Sequence, residues 1–154
     1  MTTLGHEAAI PNPTLAPLGW LIGMWTTVGT HPLVPGTVFH GRTSFDWLAG
    51  GAFLRMRSEI DEPDIPSAIA IIGSDDAVGQ FTMLYFDERG VSRRYEVAVG
   101  DPGSVTWWRD APGFSQRFTC TLADNGQTFH GQGQLSRDGT TWEGDLELTY
   151  TRAT

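Results

Sequence analysis

The 154-residue chain contains no lysine: its ten basic residues are all arginine, against 18 acidic ones, for a formal net charge of -8. An acidic surface of this kind repels phosphate backbones and anionic lipid, so neither nucleic acid nor a membrane surface is expected as a partner. The lysine deficit is read as a codon preference, not a function. Cysteine is nearly absent as well. The single Cys120 excludes an internal disulfide, and its place in an alternating run makes it a buried small apolar side chain rather than a nucleophile or metal ligand. No apolar run reaches the roughly 18 residues that a membrane-spanning helix needs. The amino terminus also lacks a basic stretch followed by an apolar core, and a cytoplasmic protein is expected.

Signature motifs are missing too. There is no His-x-His, His-Glu-x-x-His or Cys-x-x-Cys spacing, so no metal is expected. No Gly-x-Ser-x-Gly elbow or Gly-x-Gly-x-x-Gly loop occurs, which removes the usual signals for a serine nucleophile or a dinucleotide.

What the chain has is 19 glycines, 9 prolines and 11% aromatic residues, six of them tryptophan. That balance suits short strands joined by tight turns. Residues 1–17 carry three prolines and no period and read as a tail or strap, and His6 within it as solvated; residues 18–154 read as a single domain. Leu15 to Ile22 can form one or two helical turns that plug a barrel end. Strands are expected near Met24–His31, Thr37–Trp47, Ala52–Ile60, Ser67–Gly73, Gln80–Asp87, Val91–Val99, Ser104–Arg109, Phe114–Leu122, Thr128–Ser136 and Thr141–Arg152. Turns such as Asp87-Glu88-Arg89-Gly90 and Arg137-Asp138-Gly139 join neighbours as hairpins. The fold class is all-β: an antiparallel up-and-down barrel of about ten strands with a short N-terminal helical plug, closed by pairing the first and last strands. Two stacked sheets without closure are the structural alternative.

Alternation sorts the side chains. In the last strand Trp142, Gly144, Leu146, Leu148 and Tyr150 should face in, with Glu143, Asp145, Glu147 and Thr149 outside. Phe114, Phe118, Cys120 and Leu122 face in, and Arg117 out. Phe129 and Leu135 are the natural inward residues of their strand, which puts His130 outside. His31 sits at a rim. His40 and Arg42 are solvent-facing if Phe39 and Phe45 point inward; the phases of His40 and His130 stay open.

The stretches Leu21-Ile22-Gly23-Met24-Trp25, Phe45-Asp46-Trp47-Leu48-Ala49-Gly50-Gly51-Ala52-Phe53-Leu54, Ile71-Ile72-Gly73-Ser74-Asp75 and Tyr85 to Tyr95 together resemble calycin-like barrels. Nitrobindins and a related lipocalin-like bacterial family of unknown function are the nearest groups. The resemblance implies about ten strands, and in nitrobindins a haem held by a histidine near the carboxyl end. Residues 141–154 contain no histidine, so haem would need an unusual ligand such as His40 or His130, and no cofactor is otherwise expected. Fatty-acid-binding barrels are similar in holding a head group with an Arg-x-Tyr pair, whose order is reversed here as Tyr150-x-Arg152.

The expected function is to hold a hydrophobic or aromatic small molecule inside the barrel, lined by Trp25, Thr27, Phe39, Phe45, Met56, Met83, Tyr85, Tyr95, Trp107, Phe118, Trp142, Leu148 and Tyr150. Arg93 beside Tyr95 would anchor a polar end. The alternative is an isomerase or cyclase of the same fold acting on a polyketide-like or aromatic substrate, with Tyr85, Tyr95, Asp87 or His40 as acid–base candidates. Whether the interior is hollow or filled, and whether the chain forms a homodimer, stay open.

Overall fold

In a computed structural model, which describes residues 9–75 and 79–153, the chain folds as a barrel. The first eight residues, His6 among them, lie outside the described residues. Residues 9–12 cross one barrel end, where the Asn12 backbone N–H donates to the Gly51 carbonyl (2.9 Å) and its side-chain amide to the Ser74 hydroxyl (2.8 Å). A 3₁₀ helix follows at Pro13–Leu21, beginning inside the stretch read as a tail. Its geometry follows from its sequence: Pro17 has no N–H to give an α-helical ladder, and Leu15, Leu18 and Leu21 recur every three residues, the period of a 3₁₀ turn. All three are fully buried, so this face plugs the barrel.

Ten strands follow: β1 (Gly23–Thr30), β2 (Phe39–Leu48), β3 (Phe53–Ile60), β4 (Ala68–Ser74), β5 (Phe81–Asp87), β6 (Ser92–Val99), β7 (Ser104–Arg109), β8 (Ser115–Leu122), β9 (Thr128–Ser136) and β10 (Glu143–Arg152). Each pairs antiparallel with its sequence neighbour, and β1 pairs with β10 to close the barrel. Closure settles the choice against two open stacked sheets, and it leaves no free edge. The hairpins form where the turn chemistry lies; Gly90 and Gly139 each adopt a φ of 81°, which a side chain at those positions would resist.

The expected inward phase holds in most strands. Phe39 and Phe45, Leu54 and Met56, Met83, Tyr95, Cys120, Phe129, Leu148 and Tyr150 are all buried. His40 and His130 are exposed on the outer wall. The inward glycines of β9 have a packing reason: a Cβ on Gly131 would lie 2.4 Å from the Phe118 ring. The outer wall leaves Phe53, Leu84 and Phe86 partly exposed, and Trp47, at the end of the inward face of β2, is exposed as well. Among the described residues no helix is long and apolar enough to cross a membrane, which says nothing about strands.

The last strand departs from its expected phase. Its register to β9 shifts between Gly144 and Glu147, where two residues of β10 stand opposite Gly133. A bulge of one extra residue exchanges the two faces beyond it. Trp142 therefore lies on the outer side, under the outward-facing Arg117 guanidinium (3.9 Å to the ring centroid), and not in the interior. Asp145, expected outside, turns inward, and Gly144 is exposed.

The plugged half is solid. Phe129 stacks on Tyr150 (3.9 Å between centroids) and meets Trp20, Trp25 and Phe45 edge-on. The Trp25 indole N–H donates to the Leu21 carbonyl (2.8 Å), and Arg152 lies over its ring at 4.2 Å. The same guanidinium donates to the carbonyls of Trp20, Ile22 and Gly126. Arg152 thus fastens the plug to the last strand and the β8–β9 turn, rather than pairing with Tyr150 to hold a head group. Gly23 (φ 134°) passes beside it, and a Cβ there would sit 3.1 Å from the Arg152 Nη1. Cys120 is fully buried, and burial pushes its thiol well above the ordinary range. A thiol reagent such as Ellman's is expected to leave the folded protein unlabelled and to titrate one thiol after denaturation; rapid labelling of the native protein would contradict this packing.

Candidate functional site

The half of the barrel opposite the plug is built differently. A barrel of about eight strands is just filled by its own side chains, so ten strands leave room unless large rings occupy it. At the plug end they do. Toward the open end, inward-facing Tyr85, Trp107 and Phe118 remain only half-buried, whereas Trp25 and Phe129 at the plug end are fully buried. Trp107 and Phe118 stack at 5.1 Å, and Tyr85 meets Tyr95 edge-on at 5.9 Å. Ile65 of the β3–β4 loop is buried and Val34 of the β1–β2 loop packs against the core, so two apolar loop residues overhang the opening.

Below this rim runs a band of polar side chains from five strands and the end of β1. Gln116 is its hub. Its amide oxygen accepts from Arg93 Nη1 (2.7 Å) and from the Tyr95 hydroxyl (3.1 Å), and its amide nitrogen donates to Asp145 Oδ2 (3.4 Å). Asp145 Oδ1 lies 2.7 Å from His31 Nε2. The Leu33 backbone N–H donates to His31 Nδ1 (3.0 Å), which leaves the ring proton on Nε2, directed at Asp145. The direction of donation is therefore His31 to Asp145, Gln116 to Asp145, and Arg93 and Tyr95 to Gln116. Arg109 stands opposite Gln116 in the β7–β8 ladder, on the face of the inward Trp107. Burial raises the Tyr95 hydroxyl above its ordinary pKa, while Arg93 and Arg109 pull against that rise.

On β5 the Tyr85 hydroxyl donates to Asp87 Oδ2 (2.9 Å), and Arg89 grips the same carboxylate through Nη2 (2.7 Å) and Nε (3.1 Å). Burial by itself would raise the Asp87 carboxyl, but the bonds from Arg89 and Tyr85 outweigh it and hold it below the usual carboxylate range. Tyr85 is raised first by its burial and then by the adjoining carboxylate.

Of the residues expected to line the interior, Tyr85, Arg93, Tyr95, Trp107 and Phe118 come together here. Phe39, Met56, Met83 and Leu148 are buried in the wall, and Trp25, Phe45 and Tyr150 belong to the packed floor. Thr27 and Thr43 are buried in the wall with hydroxyls that no described protein group bonds. His40 is on the wrong side of the sheet for interior chemistry. Arg109, Gln116, His31 and Asp145 were not singled out as site residues. The phase of Trp107 and of Phe118 already points Arg109 and Gln116 inward, but nothing local marks Asp145, because the bulge is a property of the β9–β10 pairing.

The described histidines do not fit a haem held from within. His40 and His130 face outward, and both ring nitrogens of His31 are engaged. Among the described residues no three His, Cys, Asp or Glu side chains converge to hold a metal ion. Two open grooves, of about 330 and 470 Å³, are present: one along β3–β5, beside Arg57 and Phe86, reaches Asp87 of the band, and the other lies outside β1, β9 and β10.

The chain is a closed ten-stranded antiparallel barrel, plugged at one end and polar-banded at the other. Among solved structures the chain is similar to the crystal structure of Rv2717c from M. tuberculosis, with a TM-score of 0.65 over 96% of this chain and 100% of that one. The two share 13% identity, so the likeness is one of fold alone. No protein-family model and no curated protein matches the chain.

Proposed function

We propose that the protein binds a small hydrophobic or aromatic molecule in the open half of its barrel. The observation that carries this reading is a difference in packing between two groups of inward rings: Trp25 and Phe129 beside the plug are fully buried, whereas Tyr85, Trp107 and Phe118 toward the mouth are half-buried. Aromatic walls with a few oriented polar groups at one end make up a binding pocket for an apolar ligand. In this reading Trp107, Phe118, Tyr85 and Tyr95 are the walls, and Phe45 and Tyr150 the floor. The unpaired Thr27 and Thr43 hydroxyls offer a deeper polar contact, since a buried hydroxyl without a partner costs about 1–3 kcal/mol.

An enzyme of the same fold draws no support from the acid–base candidates. Tyr85 and Tyr95 hold their protons more tightly than a free phenol, and Asp87 is saturated by Arg89 and Tyr85. None of these groups is poised to exchange a proton near neutrality.

The test uses N-phenyl-1-naphthylamine, a neutral dye that brightens in apolar surroundings. The protein should bind it saturably at one site, and Trp107→Ala should weaken binding about tenfold, the effect of removing one large apolar contact. Native mass spectrometry of the purified protein would show in parallel whether a small molecule is retained. Absence of saturable dye binding by the folded protein would defeat the proposal.

A further inference from the structure

Resting on that reading, we infer that the mouth of the barrel is an anion site, in which Arg93 and Arg109 take the single negative end of an otherwise apolar, aromatic ligand. The argument begins with charge. Among the described residues neither arginine has a carboxylate within ion-pair distance, whereas Arg42, Arg55, Arg89, Arg94 and Arg137 all do. Arg93 donates to the neutral amide of Gln116 and interacts with the Tyr95 hydroxyl, neither of them an anion, and lies over the Phe114 ring at 5.6 Å. The Arg109 guanidinium makes no hydrogen bond to any described group, and only its backbone pairs, opposite Gln116. Each guanidinium carries five donors, so most of their N–H groups have no protein acceptor.

The acids nearby are already committed. Asp145 is held by His31 and Gln116, and Asp87 by Arg89 and Tyr85. Counting Arg89, Arg93 and Arg109 against Asp87 and Asp145 leaves the inner band with one net positive charge, in a chain whose formal charge is -8. Two half-buried cations facing one opening repel each other, and an anion between them relieves that repulsion. Asp145 cannot serve as that anion: it is already engaged by His31, and it faces the arginines across Gln116. Its part is positioning, since it fixes the Gln116 amide so that the oxygen faces Arg93 and Tyr95.

The geometry also sets the shape of the ligand. Arg109 lies two residues from Trp107 on β7, and Gln116 two from Phe118 on β8, so the cations sit one inward step above a stacked pair of rings. Successive inward residues on a strand are about 7 Å apart, roughly the span of one aromatic ring and its acidic substituent. A flat aromatic body on Trp107 and Phe118, with a carboxylate or sulfonate at the rim, matches both halves of the site.

The experiment compares two dyes of similar body: anionic 8-anilinonaphthalene-1-sulfonate and neutral N-phenyl-1-naphthylamine. The double variant Arg93→Gln/Arg109→Gln should weaken the anionic dye at least about tenfold, the loss expected for charge-assisted hydrogen bonds, and leave the neutral dye within about twofold. A second variant, Arg93→Lys/Arg109→Lys, keeps the charge and should retain more of the anionic dye's affinity; thermal unfolding confirms that each variant is folded. If the neutral dye binds and the glutamine variant holds the anionic dye as tightly as before, the anion site is wrong and the apolar pocket stands. If the folded wild-type protein binds neither dye, both readings fall.

Discussion

Replacing Trp25 with alanine is expected to lower the stability of the protein by about 3–5 kcal/mol, the range for removing a fully buried aromatic side chain. For a chain of this length each kcal/mol moves the midpoint by roughly 2–4 °C, so the melting temperature should fall by about 10 °C or more. The magnitude follows from what the indole touches: it is fully buried, caps the Leu21 carbonyl, meets Phe129 at 4.6 Å and carries the Arg152 guanidinium at 4.2 Å. Its loss therefore opens a cavity and also frees a cation that bridges the plug to the last strand. Arg152→Ala should be destabilising in its own right, because three carbonyls lose a charged donor. The two changes should not add, since each removes the other's partner. Thermal unfolding of the two single variants and the double variant measures this coupling. A Trp25→Ala midpoint within a degree or two of wild type would overturn this account of how the plug is held.

Substitution of Gly41 with alanine is expected to cost about 3 kcal/mol, the upper part of the range for overpacking a filled interior. A Cβ at Gly41 would lie 2.2 Å from the Glu59 carbonyl oxygen, with the Ile60 and Thr27 side chains each at 3.0 Å. The nearest obstacle is backbone of the neighbouring strand, which cannot rotate away without disturbing the β2–β3 ladder. Gly131 provides the contrast. Its added methyl would meet the Phe118 ring at 2.4 Å and the buried Tyr150 ring at 3.0 Å, but the nearer ring, Phe118, is half-buried toward the mouth and side chain rather than backbone, so it can turn aside. Gly131→Ala should therefore cost less stability and more ligand affinity. At Gly144 nothing lies within 4 Å, and alanine there should change stability by under about 0.5 kcal/mol. Chemical denaturation of the three variants tests the order; equal effects at Gly41 and Gly144 would show that the barrel wall yields where it is described as rigid.

Much of the site was visible in the chain before any coordinates. Trp107 and Phe118 fall on the inward phase of β7 and β8, and Arg93 and Tyr95 share a face of β6. Their neighbours Arg109 and Gln116 have the same parity and could have been named by extending each pattern two residues toward the turn. The errors have specific causes. Strict alternation puts Trp142 inside and Asp145 outside because it does not register the bulge. The Tyr150-x-Arg152 spacing does not show that the plug's carbonyls end beside the guanidinium.

By itself the sequence determined the ten strands, their turns and the buried face of most of them, because turn chemistry and a period of two are local properties that each segment carries alone. It also pointed to helical turns over Leu15 to Ile22, through the spacing of Leu18, Leu21 and Ile22, while their 3₁₀ form and start at Pro13 belong to the tertiary structure. Only the tertiary structure decided the closure, the phase of β10 beyond its bulge, and which end of the barrel is open. The mouth is built from His31, Arg93, Arg109, Gln116 and Asp145, spread along the chain from the end of β1 to β10. Neighbouring hairpins bring Arg93, Arg109 and Gln116 together, but His31 meets Asp145 only because β1 pairs with β10, and the inward turn of Asp145 depends on register between two strands, which neither strand encodes by itself.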